Sequence, residues 1–169
     1  MSQDVVELEG LEPDAVEDEA LAQIVDQMWE SYFAASEPFL PSFEPLEVTG
    51  DVLCASVGIT GARPGLVTVT VPRAAGRSLA AVLLSEDGDL DDEDVYDALG
   101  EVANIIGGNV KALVPDAGAL GLPAIAAAPP LPRTGSRCAA RLDAVWQGHP
   151  VSFVVWLAGS AATAPATEV

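Results

Sequence analysis

The chain has 169 residues and a mass of 17.4 kDa, enough for one domain with tails and too little for two well-cored ones. Half of its residues are hydrophobic, which argues against a wholly disordered chain, and 7 Lys and Arg stand against 26 Asp and Glu for a formal net charge of −19. A surface so negative repels phosphate backbones and anionic lipid headgroups, so nucleic acid and membrane are poor partners and a basic or metal-bearing partner fits better.

Eight acidic side chains fall in residues 1–19, where no periodicity is kept and Gly10 and Pro13 intervene. Residues 1–17 therefore read as a disordered acidic leader. No basic segment precedes an apolar run at the start, and no stretch of about 18 apolar residues occurs, which predicts a soluble, cytoplasmic protein.

From Asp18 onward Leu21, Ile24, Val25, Met28, Trp29, Tyr32 and Phe33 recur at helical spacing, with Asp18 and Glu19 suited to the N-terminus. Pro38, Pro41 and Pro45 end this helix and make a stiff extended connection. Val48–Thr60 and Gly65–Val71 then read as two strands of a hairpin turning around Gly61 and Pro64. Arg73–Leu84 is predicted as a short helix with Leu79, Ala80, Val82, Leu83 and Leu84 on a wide buried side.

A second acidic run occupies residues 86–97, again with eight acidic side chains, and leads into a long helix over about Asp91–Val114 closed by Pro115. An apolar stretch, Ala119–Ala128, and a turn rich in proline (Pro129, Pro130, Pro132) follow. Two last strands, Ser136–Trp146 and Val151–Leu157, are joined by a turn of Gln147, Gly148, His149 and Pro150, and residues 159–169 read as a flexible tail. Short turns between strands permit only antiparallel neighbours. The expected fold is therefore an α+β two-layer domain over residues 18–158, an antiparallel sheet packed against two long helices.

The long helix separates into two faces at 100° per residue. Val95, Leu99, Val102, Ile106, Val110 and Leu113 cluster as core. Asp97, Glu101, Asn104, Gly108 and Lys111 line the other side as a narrow polar stripe, with Gly108 a gap through which another surface could approach the backbone. Gly107 and Gly108 together cost the helix on the order of 2 kcal/mol relative to Ala, so something besides helix propensity must account for them. As structure alone, a Glu and an Asn three residues apart on an exposed helix face are ordinary.

Competing chemistry is weak. Cys54 and Cys138 sit in apolar strand-like surroundings without metal or redox spacing and read as buried thiols. His149, the only histidine, reads as a surface turn residue with no Ser or Cys partner. Gly58, Gly61 and Gly65 form no phosphate loop with a following Lys, and Trp146 and Trp156 are expected to pack in the sheet. Asp91–Asp94 lacks the spaced Gly and terminal Glu of a calcium loop and is read as helix capping, with steering of a Lys-bearing partner as the alternative.

The run Asp97-Ala-Leu-Gly-Glu101-Val-Ala-Asn104-Ile-Ile-Gly-Gly-Asn109-Val-Lys111, followed by Gly121-Leu122-Pro123, resembles the signature of the chemotaxis phosphatases CheC, CheX and FliY. The order of elements over about residues 18–158 is similar to that of CheX-like domains. Two prolines stand near the place where the family carries one: Pro123, a few residues nearer Asn104 than the family spacing, and Pro129, a little farther. The family has two related halves. In the first helix Asp26 and Glu30 match, but Phe33 holds the Asn position, so the resemblance implies one working site, on the second long helix.

The resemblance further implies hydrolysis of the phospho-aspartate of a CheY-like response regulator. Asn104 would orient the attacking water, Glu101 would pair with the regulator's active-site Lys, and Asp97, Gly108 and Lys111 would border the docking surface. No cofactor of the chain's own is implied, since Mg²⁺ would come with the regulator. Two other readings stay open: a regulator-docking or motor-associated module of the same fold without catalysis, and a scaffold for another chemotaxis enzyme, as some members recruit a deamidase. Pairing into a homodimer through a strand near the C-terminus is a further expectation.

Overall fold

Leu21, Val25, Met28 and Trp29 repeat at the helical period, and in the computed structural model, which describes residues 16–86 and 89–159, they are the buried face of α1 (Asp18–Tyr32). That face is narrower than the spacing predicts, since Tyr32 at the helix end is 49% exposed. Phe33 leaves the helical path and turns back into the core. The packed chain also extends N-terminal of Asp18: Val16 is fully buried and Glu17 holds the N-cap position, so these two do not belong to a leader. The rest of the expected leader, residues 1–15, and of the expected tail, residues 160–169, lies outside the described residues.

Seven strands form one sheet in the spatial order β1 (Leu40–Ser42), β6 (Ser136–Trp146), β7 (His149–Ala158), β3 (Gly65–Pro72), β2 (Val52–Gly61), β4 (Ala117–Leu120), with β5 (Ala124–Ala126) also paired to β2. Every pairing is antiparallel. Leu53, Ala55, Val57 and Ile59 of β2, Val67, Val69 and Val71 of β3, and Val151, Phe153, Val155 and Leu157 of β7 alternate onto one buried face. Three helices cover it: α1 against β6, α3 (Asp92–Leu113) across β2 and β3, and α2 (Arg73–Leu84) against α3 and β3. The architecture is the expected α+β two-layer domain, with a third, shorter helix beside the two long ones.

Several boundaries move. The strand expected from Val48 begins at Val52, and the proline-rich connection before it contains β1, an edge strand where missing N–H donors do little harm. The apolar run at 119–128 becomes the short strands β4 and β5. The β6–β7 turn is only Gln147 and Gly148, with φ of 49° and 76°, the mirror-image turn that suits two-residue hairpins. His149 is therefore a partly buried strand residue opposite Trp146, not a turn residue. β7 lies inside the sheet with neighbours on both sides, so it is not a free pairing edge; the edges are β1 and the β4/β5 ribbon.

Two core expectations also change. Leu113, at the end of α3, is 40% exposed, and Leu84 at the end of α2 is 43% exposed, whereas Ala75 and Gly76 are buried in α2. Cys54 is buried, with Thr70 donating its hydroxyl to Sγ at 3.4 Å, and burial pushes its thiol pKa up. Cys138 is exposed, at the point where the β6–β7 register slips between Cys138 and Ala140.

The face of the sheet away from the helices carries a buried polar row, with Cys54, Thr70, Ser152 and Asp143 side by side across β2, β3, β7 and β6. Asp143 Oδ2 accepts from Arg141 Nε at 2.8 Å and from the Leu46 N–H at 3.1 Å. Burial alone would raise its pKa, but Arg141, Ser152 and the Leu46 amide outweigh burial and hold it below the usual value. Ser152 acts there as a near neighbour, since no hydrogen bond of ordinary geometry reaches Asp143 Oδ1 among the described residues.

Candidate functional site

The site is built on α3, and the acidic run before it is what starts that helix. Asp91 is the N-cap: its Oδ1 accepts the Asp94 N–H at 2.9 Å while Asp94 Oδ2 accepts the Asp91 N–H at 3.2 Å, a reciprocal box that satisfies two end donors. Asp92 accepts from Arg77 at 2.8 Å and lies 3.7 Å from Arg73, which also pairs with Asp51 at 3.0 Å. Tyr96 and then Asp51 push the Arg73 guanidinium further above its ordinary range, so it stays cationic. Part of the acidic run is thus spent on capping α3 and tying it to α2; Asp87 and Gly88 lie outside the described residues.

Val95, Ala98, Leu99, Val102, Ala103, Ile106 and Val110 bury one side of α3. On the outer side Asp97, Glu101 and Gly108 are exposed, and Asn104 and Lys111 are partly buried. All five residues of the expected stripe are thus brought together on one helix face. Among the described residues, no side chain of Asp97, Glu101, Asn104 or Lys111 makes a hydrogen bond or ion pair. Asn109 differs, since its Nδ2 donates to the Ile105 carbonyl at 2.8 Å and is spent on its own helix. Within the described structure the hydrogen-bonding capacity of the Glu101 and Asn104 side chains is thus left over.

The two adjacent glycines have different reasons. A Cβ on Gly107 would stand 2.5 Å from Val57 Cγ1 and 3.3 Å from Leu120 Cδ1, so this glycine lets α3 lie directly on β2. A Cβ on Gly108 would meet nothing within 4 Å, which leaves open space beside Asn104. A third glycine, missed from the sequence, is Gly100: its Cβ would be 3.2 Å from Pro123 Cβ. Of the two prolines near the family position, Pro123 is seated against α3. It follows Leu122, 92% exposed, and Gly121, whose N–H donates to the Gly58 carbonyl at 2.7 Å. The signal for this contact was the placement of Gly100 directly before Glu101, in a helix that Gly weakens.

On α1, Asp26 and Glu30 are exposed, but Phe33 is buried to 1% and stacks on Trp29 at 4.4 Å. Trp146 closes the same cluster and donates its Nε1–H to the Glu37 carbonyl at 3.0 Å. The position related to Asn104 is therefore core. Trp146 packs beneath the sheet as expected, and Trp156 lies partly buried on the other face. Among the described residues, no helix is long and apolar enough to cross a membrane.

Comparison with known proteins agrees with this geometry. No curated protein matches the sequence. The fold is similar to the chemotaxis protein CheX of Desulfovibrio desulfuricans, with a TM-score of 0.62 and 18% identity over 82% of this chain and 97% of that one. A CheC-like superfamily protein of Shewanella sp. PV-4 gives a TM-score of 0.65 at 14% identity over 83% and 96%. The CheX of a CheX–CheY–BeF3–Mg complex from Borrelia burgdorferi gives 0.62 at 16% over 83% and 97%. The family model described as chemotaxis phosphatase CheX matches residues 53–150, a span that holds nearly all of β2, together with β3, β6, α2 and the whole of α3 with Glu101 and Asn104, and the chain belongs to that family.

Proposed function

We propose that this protein hydrolyses the phospho-aspartate of a CheY-like receiver domain. The observation that carries the reading is the pair Glu101 and Asn104, one helical turn apart on the outer face of α3, with no hydrogen-bond or ion-pair partner among the described residues and open space at Gly108. The complex of a related CheX with CheY supports a receiver as the partner.

Phosphoryl transfer is accelerated chiefly by positioning and electrostatics, and a helper protein need supply no nucleophile. Asn104 offers a donor and an acceptor on one short side chain, so it holds a water in line with the phosphorus. Glu101, a carboxylate three residues earlier, pairs with the receiver's active-site Lys and fixes the register of docking. Asp97 and Lys111 border the contact at either end of the stripe, and Gly108 lets the receiver come close to the helix backbone. The Mg²⁺ that neutralises phosphoryl charge belongs to the receiver. With Phe33 in the core, α1 supplies no second site.

The test follows phosphate release from a phosphorylated receiver with Mg²⁺. Asn104→Ala is expected to slow the catalysed rate on the order of 10²-fold, the loss typical of one well-placed hydrogen-bonding group, and Glu101→Ala to weaken docking and rate together. Equal rates for wild type and both variants would overturn the catalytic role. Tight binding of the phosphorylated receiver with no faster decay would instead identify a docking module.

A further inference from the structure

We infer that Leu122, in the break between β4 and β5 on the edge of the sheet opposite Gly58 of β2, is an apolar anchor of the receiver-docking surface; this rests on the function proposed above and names how its partner is gripped. Leu122 is 92% exposed, yet it is not on a loose loop. On one side Gly121 is hydrogen-bonded to Gly58 of β2 at 2.7 Å, and on the other Pro123, with its fixed φ, is seated on Gly100 of α3. Gly100 lies one helical turn before Asn104 and next to Glu101. The chain thus spends a helix-weakening glycine to bring Pro123 against the site and hold an apolar side chain out beside it.

An exposed leucine by itself means little. The placement is what discriminates. Among the described residues two other apolar side chains are as exposed: Phe43 follows β1 at the opposite edge of the sheet, and Leu131 lies over the face away from the helices, in a cleft that Gly121 also lines but that is not formed by α3. Leu122 directly precedes Pro123, which lies on Gly100 immediately before Glu101, so it is tethered next to the helix face where Asp97 and Glu101 present charge for a basic group. An apolar contact held rigidly beside a charged one is the arrangement that gives a small interface its affinity, because burying the leucine costs little further ordering. The occupant is the receiver face that surrounds its phosphorylated Asp, with its Lys on Glu101 and an apolar patch on Leu122.

The test uses the full chain and a receiver carrying beryllofluoride and Mg²⁺, with binding measured by titration and turnover of the phosphorylated receiver measured in parallel. Leu122→Ser is expected to raise Kd and KM about tenfold, about 1.4 kcal/mol, while kcat at saturating receiver is retained. Phe43→Ser, equally exposed at the far edge, is expected to change neither, and thermal melts confirm that both variants fold. Binding by Leu122→Ser within twofold of wild type would overturn the inference while leaving the phosphatase reading intact. Equal weakening by Phe43→Ser would overturn it too, as general surface stickiness. A wild-type protein that neither binds nor dephosphorylates the receiver would remove both readings.

Discussion

A Cβ at Gly107 would stand 2.5 Å from Val57 Cγ1, whereas at Gly108 it would meet nothing within 4 Å, so the same substitution has opposite consequences at two adjacent residues. Gly107→Ala is expected to destabilise by about 1–3 kcal/mol because α3 must lift from β2. Gly108→Ala should stabilise the free protein by up to about 1 kcal/mol through helix propensity and weaken receiver binding. Chemical denaturation and receiver titration of the two variants check both signs. Asp143 gives a pH dependence. Its folded-state pKa is depressed, so its stabilising contribution is present above the unfolded carboxylate value of about 3.9 and is lost as pH falls through the lower folded value. Asp143→Asn should cost about 2 kcal/mol at neutral pH, and the gap to wild type should close in acid below about pH 4.

At the scale of elements, α3 depends on its first turn. Asp91→Ala removes one half of the capping box and is expected to cost about 1 kcal/mol, read from denaturation midpoints at constant m. α3 was legible in the sequence because its apolar period persists over 22 residues between an acidic N-cap and Pro115, and Glu101 and Asn104 could be placed on its outer face from spacing alone. α2 and the β2–β3 hairpin were legible for similar reasons. The β4/β5 ribbon was not: its strands are short, and Ala and Gly carry no alternation to read. Nor was the role of Gly100: its place before Glu101, in a helix that glycine weakens, signals a close contact without naming the partner, and Pro123 is distant in sequence. His149 was misplaced for a subtler reason. Pro150 looked like part of the turn, but a two-residue turn suffices when Gln147 and Gly148 both take left-handed φ.

For the whole molecule, the net charge of −19 is less uniform than its total suggests, because Asp91, Asp92 and Asp94 are engaged in capping and ion pairs while Asp97 and Glu101 face outward with no partner among the described residues. Association with a basic receiver face should therefore slow as ionic strength rises past the point where the Debye length falls to about 8–10 Å, while Asn104-dependent kcat at saturation stays constant. Stopped-flow rates over a salt series check this, and a flat association rate would assign the charge to solubility alone. The place of β7 has a consequence of another kind. It is the last of the described strands to be made, yet it sits between β6 and β3 in the middle of the sheet. Until residues 149–158 have left the ribosome, β3 and β6 each present an unpaired edge, so the nascent domain stays vulnerable to aggregation until its last described strand is made, and a stop codon after Gly148 should yield insoluble protein.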